Sequence, residues 1–244
     1  MSDLRVGLVV EGPTDALVLA AALKAFLDIP FIPVTLQPEI PPTKTGTGWG
    51  GVFWWCRQVS SPGYETLAEN PILVHLDLII IQVDADVAQM DYNAANITNP
   101  PRIDLPCEYP CPPASDTVDA LYEVVCGWLA PSRPGGKAVI CIPSKCIEAW
   151  VAAALYGPGD PERMSNLECD YGVEAYLHER PARERLIRMR NGRFRKIKDK
   201  YQKVQPTISE QWHIVTRYCP QAEVFQNTIE NLAGMLNTSG CLFD

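Results

Sequence analysis

Val6-Gly7-Leu8-Val9-Val10-Glu11-Gly12-Pro13-Thr14-Asp15 and Leu78-Ile79-Ile80-Ile81-Gln82-Val83-Asp84-Ala85-Asp86 follow one plan: a β-branched apolar run that stops abruptly at carboxylates. A run that is apolar on both faces reads as a strand covered on both sides, as in a parallel sheet. Pro13 and Thr14 suit the start of a helix, because proline is tolerated in the first turn. Apolar positions at Leu17, Leu19, Ala20, Leu23 and Phe26 carry that helix to residue 26. In open α/β sheets the ligand site lies beyond the carboxyl ends of the strands. If the two strands are neighbours, Glu11, Asp84 and Asp86 meet at one edge, where they repel each other and raise each other's pKa. A hard divalent cation bound through oxygen relieves that repulsion. Asp15 lies one helical turn beyond Glu11 and can face the same ion. Each acid alone also has an ordinary explanation. Glu11 and Asp15 favour a helix start, and Asp84 and Asp86 could be plain loop residues. It is the repetition of the strand-then-acid pattern that favours a metal site.

Outward from these two strands, Phe31–Leu36 and Ala138–Ile142 read as further strands. Helical spacing covers Gly51–Ser60, Asp116–Trp128 and Ile147–Leu155. The alternation predicts an α/β fold with a mostly parallel sheet and helices on both faces. Phe53, Trp54 and Trp55 are expected in the core. The loop from Pro38 to Gly51 is rich in glycine, a composition that lets backbone approach a phosphate, although no P-loop lysine follows. It reads either as a surface loop or as the lining of an entrance near the acids. Residues 92–115 hold six prolines, too many for a helix or a central strand, and read as an insertion packed over the sheet. Glu148 falls in the first turn of a helix, where the dipole favours it. It could equally be a further metal ligand. Lys145, just before it, could meet phosphate or simply be solvated. Gly157-Pro158-Gly159-Asp160-Pro161 marks a boundary, dividing a catalytic domain over 1–156 from a helical, partly basic region over 157–244. In that second region helices are expected over Val173–Arg190, Gln211–Tyr218 and Ala222–Leu236.

The 244 residues are 47% apolar and carry a net charge of −8. No apolar run is long enough to span a bilayer, and Met1-Ser2-Asp3 lacks a basic leader. A cytoplasmic protein that contacts no membrane is the expectation, with its nine cysteines reduced. Cys107 and Cys111 are the closest pair, but no second pair completes a zinc site. The charge is uneven. Arg180 to Lys203 contains eleven Lys/Arg against two Asp/Glu, leaving an acidic body with a basic segment. Arg188, Arg190, Arg193, Arg195, Lys196, Lys198 and Lys200 share no single helical face. They read as a solvated stretch or as a phosphate-binding surface, with Phe194 and Tyr201 either stacking on bases or anchoring the segment. His75, His178 and His213 have no serine or cysteine partner at a recognisable spacing, which points away from nucleophilic triads.

The Glu-Gly-x-Thr-Asp and Asp-x-Asp segments resemble the Toprim domain of topoisomerases, primases and the overcoming-lysogenization-defect nucleases. They are most similar to the last of these and to small stand-alone Toprim-like proteins. The likeness covers roughly residues 4–155, and Glu148-Ala149-Trp150 resembles the element after the last core strand. It implies a Toprim or Rossmann-like sheet and one or two Mg²⁺ or Mn²⁺ ions. It further implies a nuclease acting through Glu11, Asp15, Asp84, Asp86 and Glu148, with Lys145 beside them and a helical C-terminal appendage. DNA stands ahead of RNA as substrate. The full-length nucleases also carry an ATPase segment that is absent here, so a separate partner ATPase is implied, and a role in defence against phage. A homo-oligomer is left open. The competing readings are a Toprim-fold binding module without catalysis and a phosphatase acting on small phosphates.

Overall fold

The computed structural model describes residues 3–38 and 46–239, with side chains to 234. Residues 39–45, most of the proline-rich start of the Pro38–Gly51 loop, lie outside the described residues. Strand β1 (Leu4–Val9) leads through helix α1 (Pro13–Phe26) to β2 (Phe31–Gln37) and α2 (Trp49–Val59). Then come β3 (Leu78–Gln82), α3 (Ser115–Trp128), β4 (Ala138–Cys141) and α4 (Glu148–Tyr156). The four strands form one parallel sheet in the order β2-β1-β3-β4. The protein is therefore α/β with a Rossmann-like parallel sheet, as the alternation of elements predicts.

The period-2 rule explains the layering. Val6, Leu8 and Val10 of the first strand, with Leu78 and Ile80 of the third, face α1 and α4. Val9, Ile79 and Ile81 face the opposite layer, built from α2 and α3. There Phe53 meets Trp128 edge-on at 5.6 Å between ring centroids, and Trp54 lies at the layer's half-buried margin. Gly7 is small because a Cβ there would stand 2.8 Å from Leu36 and 2.9 Å from Leu76.

Beyond the boundary run α5 (Pro161–Met164), α6 (Val173–Glu179), β5 (Ile187–Arg190), β6 (Arg193–Lys196), α7 (Lys198–Glu210), α8 (Trp212–Tyr218) and α9 (Pro220–Ser239). Their apolar residues join the α1/α4 core rather than forming a separate one. Helix α4 is buried on every side, so it needs covering all round. Trp150 stacks on Phe225 of α9 at 5.8 Å and meets Trp212 of α8 edge-on at 5.6 Å.

Two expectations are corrected. Val173–Arg190 is not one helix. Its helix stops at Glu179, before Pro181, and the chain then turns into an antiparallel two-stranded ribbon, β5–β6. Asn191 and Gly192 both have positive φ, +52° and +70°, as a two-residue hairpin turn requires. The cysteines are not all reduced: Cys111 and Cys169 form a disulfide. It ties the proline-rich segment to the turn before α6. That segment is also pinned where the Gln89 N–H donates to Pro106 O and the Tyr109 N–H donates to Thr117 Oγ1. Among the described residues no helix is long and apolar enough to cross a membrane.

Candidate functional site

Parallel register brings the acids together. Val9 pairs with Ile81, so the residues just past each strand end lie side by side. The backbone N–H of Asp84 donates to Glu11 Oε1 at 2.8 Å. Gln82, a polar residue at the end of an otherwise apolar strand, explains its own presence. Its side-chain oxygen accepts from the Glu11 N–H at 3.3 Å and its amide donates to Asp84 Oδ1 at 2.8 Å. The Ile147 N–H, at the start of α4, donates to the same Asp84 oxygen at 3.1 Å. Asp84 is thus held by β3, by the residue before α4 and, through its backbone, by Glu11.

Asp15 in the first turn of α1 and Glu148 in the first turn of α4 are both buried. They are joined by a residue from far along the chain. Lys196, the last residue of β6, places its ammonium 2.8 Å from Asp15 Oδ1 and 2.8 Å from Glu148 Oε1. The Tyr201 hydroxyl donates to the same Glu148 oxygen at 2.9 Å, while Glu148 Oε2 is buried with no hydrogen-bond partner. Asp86 stands at the solvent side of the cluster, and Glu174 of α6 approaches it closely enough to feel Glu148, Asp86 and Asp15.

The electrostatics follow from crowding and lost hydration. Burial, reinforced by Asp86, pushes Glu11 up to about 8. Burial and then Glu11 raise Asp84 well above the ordinary carboxylate range. Loss of hydration pushes Asp86 up to about 6, against the pull of Lys196. Burial opposes the charge on Lys196, but Asp15 and Glu148 hold it well above the usual lysine value.

The glycine loop borders this cluster. The Gly48 N–H donates to Glu11 O at 2.8 Å, and Gly48 has φ +75°. A Cβ on it would lie 3.9 Å from Glu11 Oε2. Lys145 has a left-handed backbone and gives its carbonyl to the Asp86 N–H at 3.1 Å. Its ammonium, however, is turned toward Glu108 of the proline-rich segment and the Tyr171 hydroxyl.

No family model, curated protein or solved structure matches the chain. What the site can do therefore rests on its geometry.

Six carboxylates face one half-buried ammonium, a donor set whose chemistry suits a hard cation. The partnerless Glu148 oxygen is a ligand atom without a partner. As the side chains stand, no three His, Cys, Asp or Glu among the described residues are gathered closely enough to hold an ion. The structure brings Glu11, Asp84, Asp86, Asp15 and Glu148 to one edge, but Lys145 is committed elsewhere. The seven basic positions separate. Arg188, Arg190, Arg193 and Arg195 are exposed on the ribbon. Lys196 belongs to the acid cluster instead. Lys198 is exposed at the start of α7, and Lys200 donates to Arg183 O. Phe194 packs beside His178 at 5.6 Å and Tyr201 is fully buried, so both anchor the ribbon rather than face solvent. Gln82, Glu174 and the pairing role of Lys196 were missed from sequence. Only the Asn191-Gly192 turn signal, which sets the register of Lys196, could have pointed to the last.

Proposed function

We propose that this chain is a Toprim-type hydrolase of nucleic-acid phosphodiesters, dependent on Mg²⁺ or Mn²⁺, with DNA ahead of RNA as substrate. The observation that carries the reading is the convergence of Glu11, Asp84 and Asp86 at adjacent parallel strand ends, with Asp84 N bound to Glu11 Oε1 at 2.8 Å. Glu11, Asp84 and Asp86 would hold one ion, with Asp15 and Glu148 on the side where Lys196 now sits. A bound divalent ion would supply Lewis-acid polarisation of a phosphoryl oxygen and a water of lowered pKa.

The chain's own groups do the rest. Gln82 fixes the orientation of Asp84. Lys196 and Tyr201 fix Glu148 and keep positive charge beside the place where phosphate oxygens would arrive. Gly48, whose φ of +75° favours glycine, turns its backbone N–H onto Glu11 O. Asp86, at the solvent side of the cluster, leaves the ion it would share with Glu11 and Asp84 open to water and substrate. The region beyond Gly157 is read as the part that contacts substrate. The Toprim likeness implies a partner ATPase and a role in phage defence.

The test is to incubate plasmid, single-stranded DNA and RNA with the protein and Mg²⁺ or Mn²⁺. Cleavage by the wild type that is lost, by about 10³-fold or more, in Glu11→Ala and Asp84→Ala supports the reading. Cleavage that survives both substitutions overturns it. One observation favours a second reading, a binding module without catalysis. The Lys196 ammonium bridges Asp15 and Glu148, neutralising them from within the protein. Nucleic-acid binding without cleavage under any divalent ion would support that reading.

A further inference from the structure

The ribbon β5–β6 has two unlike faces. Its register pairs Ile187 with Lys196, Arg188 with Arg195, Met189 with Phe194 and Arg190 with Arg193. Alternation sends Ile187, Lys196 and Phe194 toward the body, where Ile187 is fully buried and Lys196 meets the acids. The other face carries four arginines, in two directly opposed pairs.

Like charges directly opposite each other destabilise a β-ladder. Here two such pairs follow one another, and stability alone would favour opposite charges. Among the described residues none of the four guanidiniums has a side-chain hydrogen bond, ion pair or ring partner, and no described carboxylate neutralises them. The arrangement calls for an external polyanion. Guanidinium, with its planar fork, matches phosphate oxygens two at a time. Along a strand, alternate residues stand about 6.7 Å apart, so the quartet makes a compact platform able to meet several phosphates.

The face also says which nucleic acid fits. Proteins that hold single strands stack bases on aromatic rings. The ribbon's one aromatic residue, Phe194, lies on the inner face against His178. A surface of arginines without rings suits a partner that shows phosphates and hides its bases. We propose that the Arg188/Arg190/Arg193/Arg195 face docks double-stranded nucleic acid through its phosphates, without reading bases. Because Lys196 reaches the acids from the opposite face, this platform is turned away from the carboxylate cluster. It is a docking surface separate from the place of chemistry. The inference rests on the nucleic-acid reading above for its choice of polyanion, but not on catalysis.

The experiment measures binding by fluorescence anisotropy in chelator, over a series of salt concentrations. The ligands are a labelled duplex, its single strand, and phosphatidylserine vesicles. Wild type is compared with the quadruple Arg→Gln variant and the quadruple Arg→Lys variant at positions 188, 190, 193 and 195. Duplex should bind more tightly than single strand. The slope of log K against log salt should fall in magnitude by about 3 in the Gln variant and be largely kept in the Lys variant. An unchanged melting temperature shows that each variant is folded. Should the Gln variant unfold, the Lys variant and the wild-type ligand ranking still decide. Equal slopes for wild type and Gln variant, single strand binding as tightly as duplex, or vesicles outcompeting duplex would each overturn the proposal. Quartet-dependent duplex binding with no metal-dependent cleavage removes the hydrolase reading and leaves the docking surface. Cleavage lost in Glu11→Ala but unaffected in rate and binding by the quartet does the reverse.

Discussion

The carboxylate edge and the arginine ribbon place like charges side by side by opposite means. At the edge, Glu11, Asp84 and Glu148 come from three separate βα junctions, and their crowding is bearable because the Lys196 ammonium meets Glu148 and because burial favours the protonated forms of Glu11 and Asp84. On the ribbon, ten consecutive residues, Ile187–Lys196, set four arginines on one exposed face, with no counter-charge on them among the described residues. The edge has resolved its repulsion inside the fold; the ribbon leaves its own for solvent or a partner. Lys196 and Arg195 make the contrast at its sharpest. They are neighbours in sequence, both basic, and they point to opposite sides of the same strand. One is a structural counter-ion and the other a surface charge.

Substituting these neighbours should break the comparison most visibly. Lys196→Met leaves Asp15 and Glu148 buried without their cation, at a cost of about 3 kcal/mol in chelator. Arg195→Gln should change stability by less than about 0.5 kcal/mol. Denaturant unfolding of both measures the difference. Equal effects would mean that Lys196 does not sit among the acids. Added Mn²⁺ should recover part of the loss in Lys196→Met if the cluster accepts an ion, and nothing in Arg195→Gln.

The edge should also carry a pH signature that the ribbon lacks. Glu11, raised by burial from 4.5 to about 8, keeps its proton in the folded state at pH values where the unfolded chain releases it. Stability from such a group is fullest below the unfolded pKa and is lost as pH rises through the folded one. In chelator the unfolding free energy should therefore fall by roughly 3 to 4 kcal/mol between about pH 5 and pH 8. Glu11→Gln should flatten that fall, and the quadruple arginine variant should leave it unchanged. A wild-type curve that rises over this range would mean that the acids are not crowded.

How much of this was legible differs between the two regions for a physical reason. The strands and their terminal acids are written in local periodicity, so Val6–Val10 and Leu78–Val83 declare a buried parallel sheet and Glu11, Asp84 and Asp86 its edge. That β3 lies between β1 and β4, which is what lets Asp84 touch both Glu11 and the start of α4, is a matter of packing that no local pattern records. Lys196 reads as one more surface cation in a basic run. Its place among the acids depends on register, which depends on the Asn191-Gly192 turn rather than on the local density of charge. The Cys111–Cys169 bridge joins positions 58 residues apart in sequence, with nothing at either site to name its partner.

The smallest effect tests the turn on which the ribbon's register hangs. Gly192 has φ +70° and nothing within 4 Å of where a Cβ would be, so alanine there meets no clash and suffers only the cost of a left-handed backbone. That cost is about 1 kcal/mol. Because the turn holds Lys196 opposite Ile187, the loss should be felt at both regions at once. Gly192→Ala should lower stability by about that amount, and it should also loosen the Lys196 contacts enough to reduce the stability gap that Lys196→Met opens. A double-mutant cycle measures the coupling. Strict additivity would mean that the ribbon's tip and the carboxylate edge are mechanically independent. A negative interaction would show that the arginine face and the acids move as one piece, joined through a single strand whose two sides do different work.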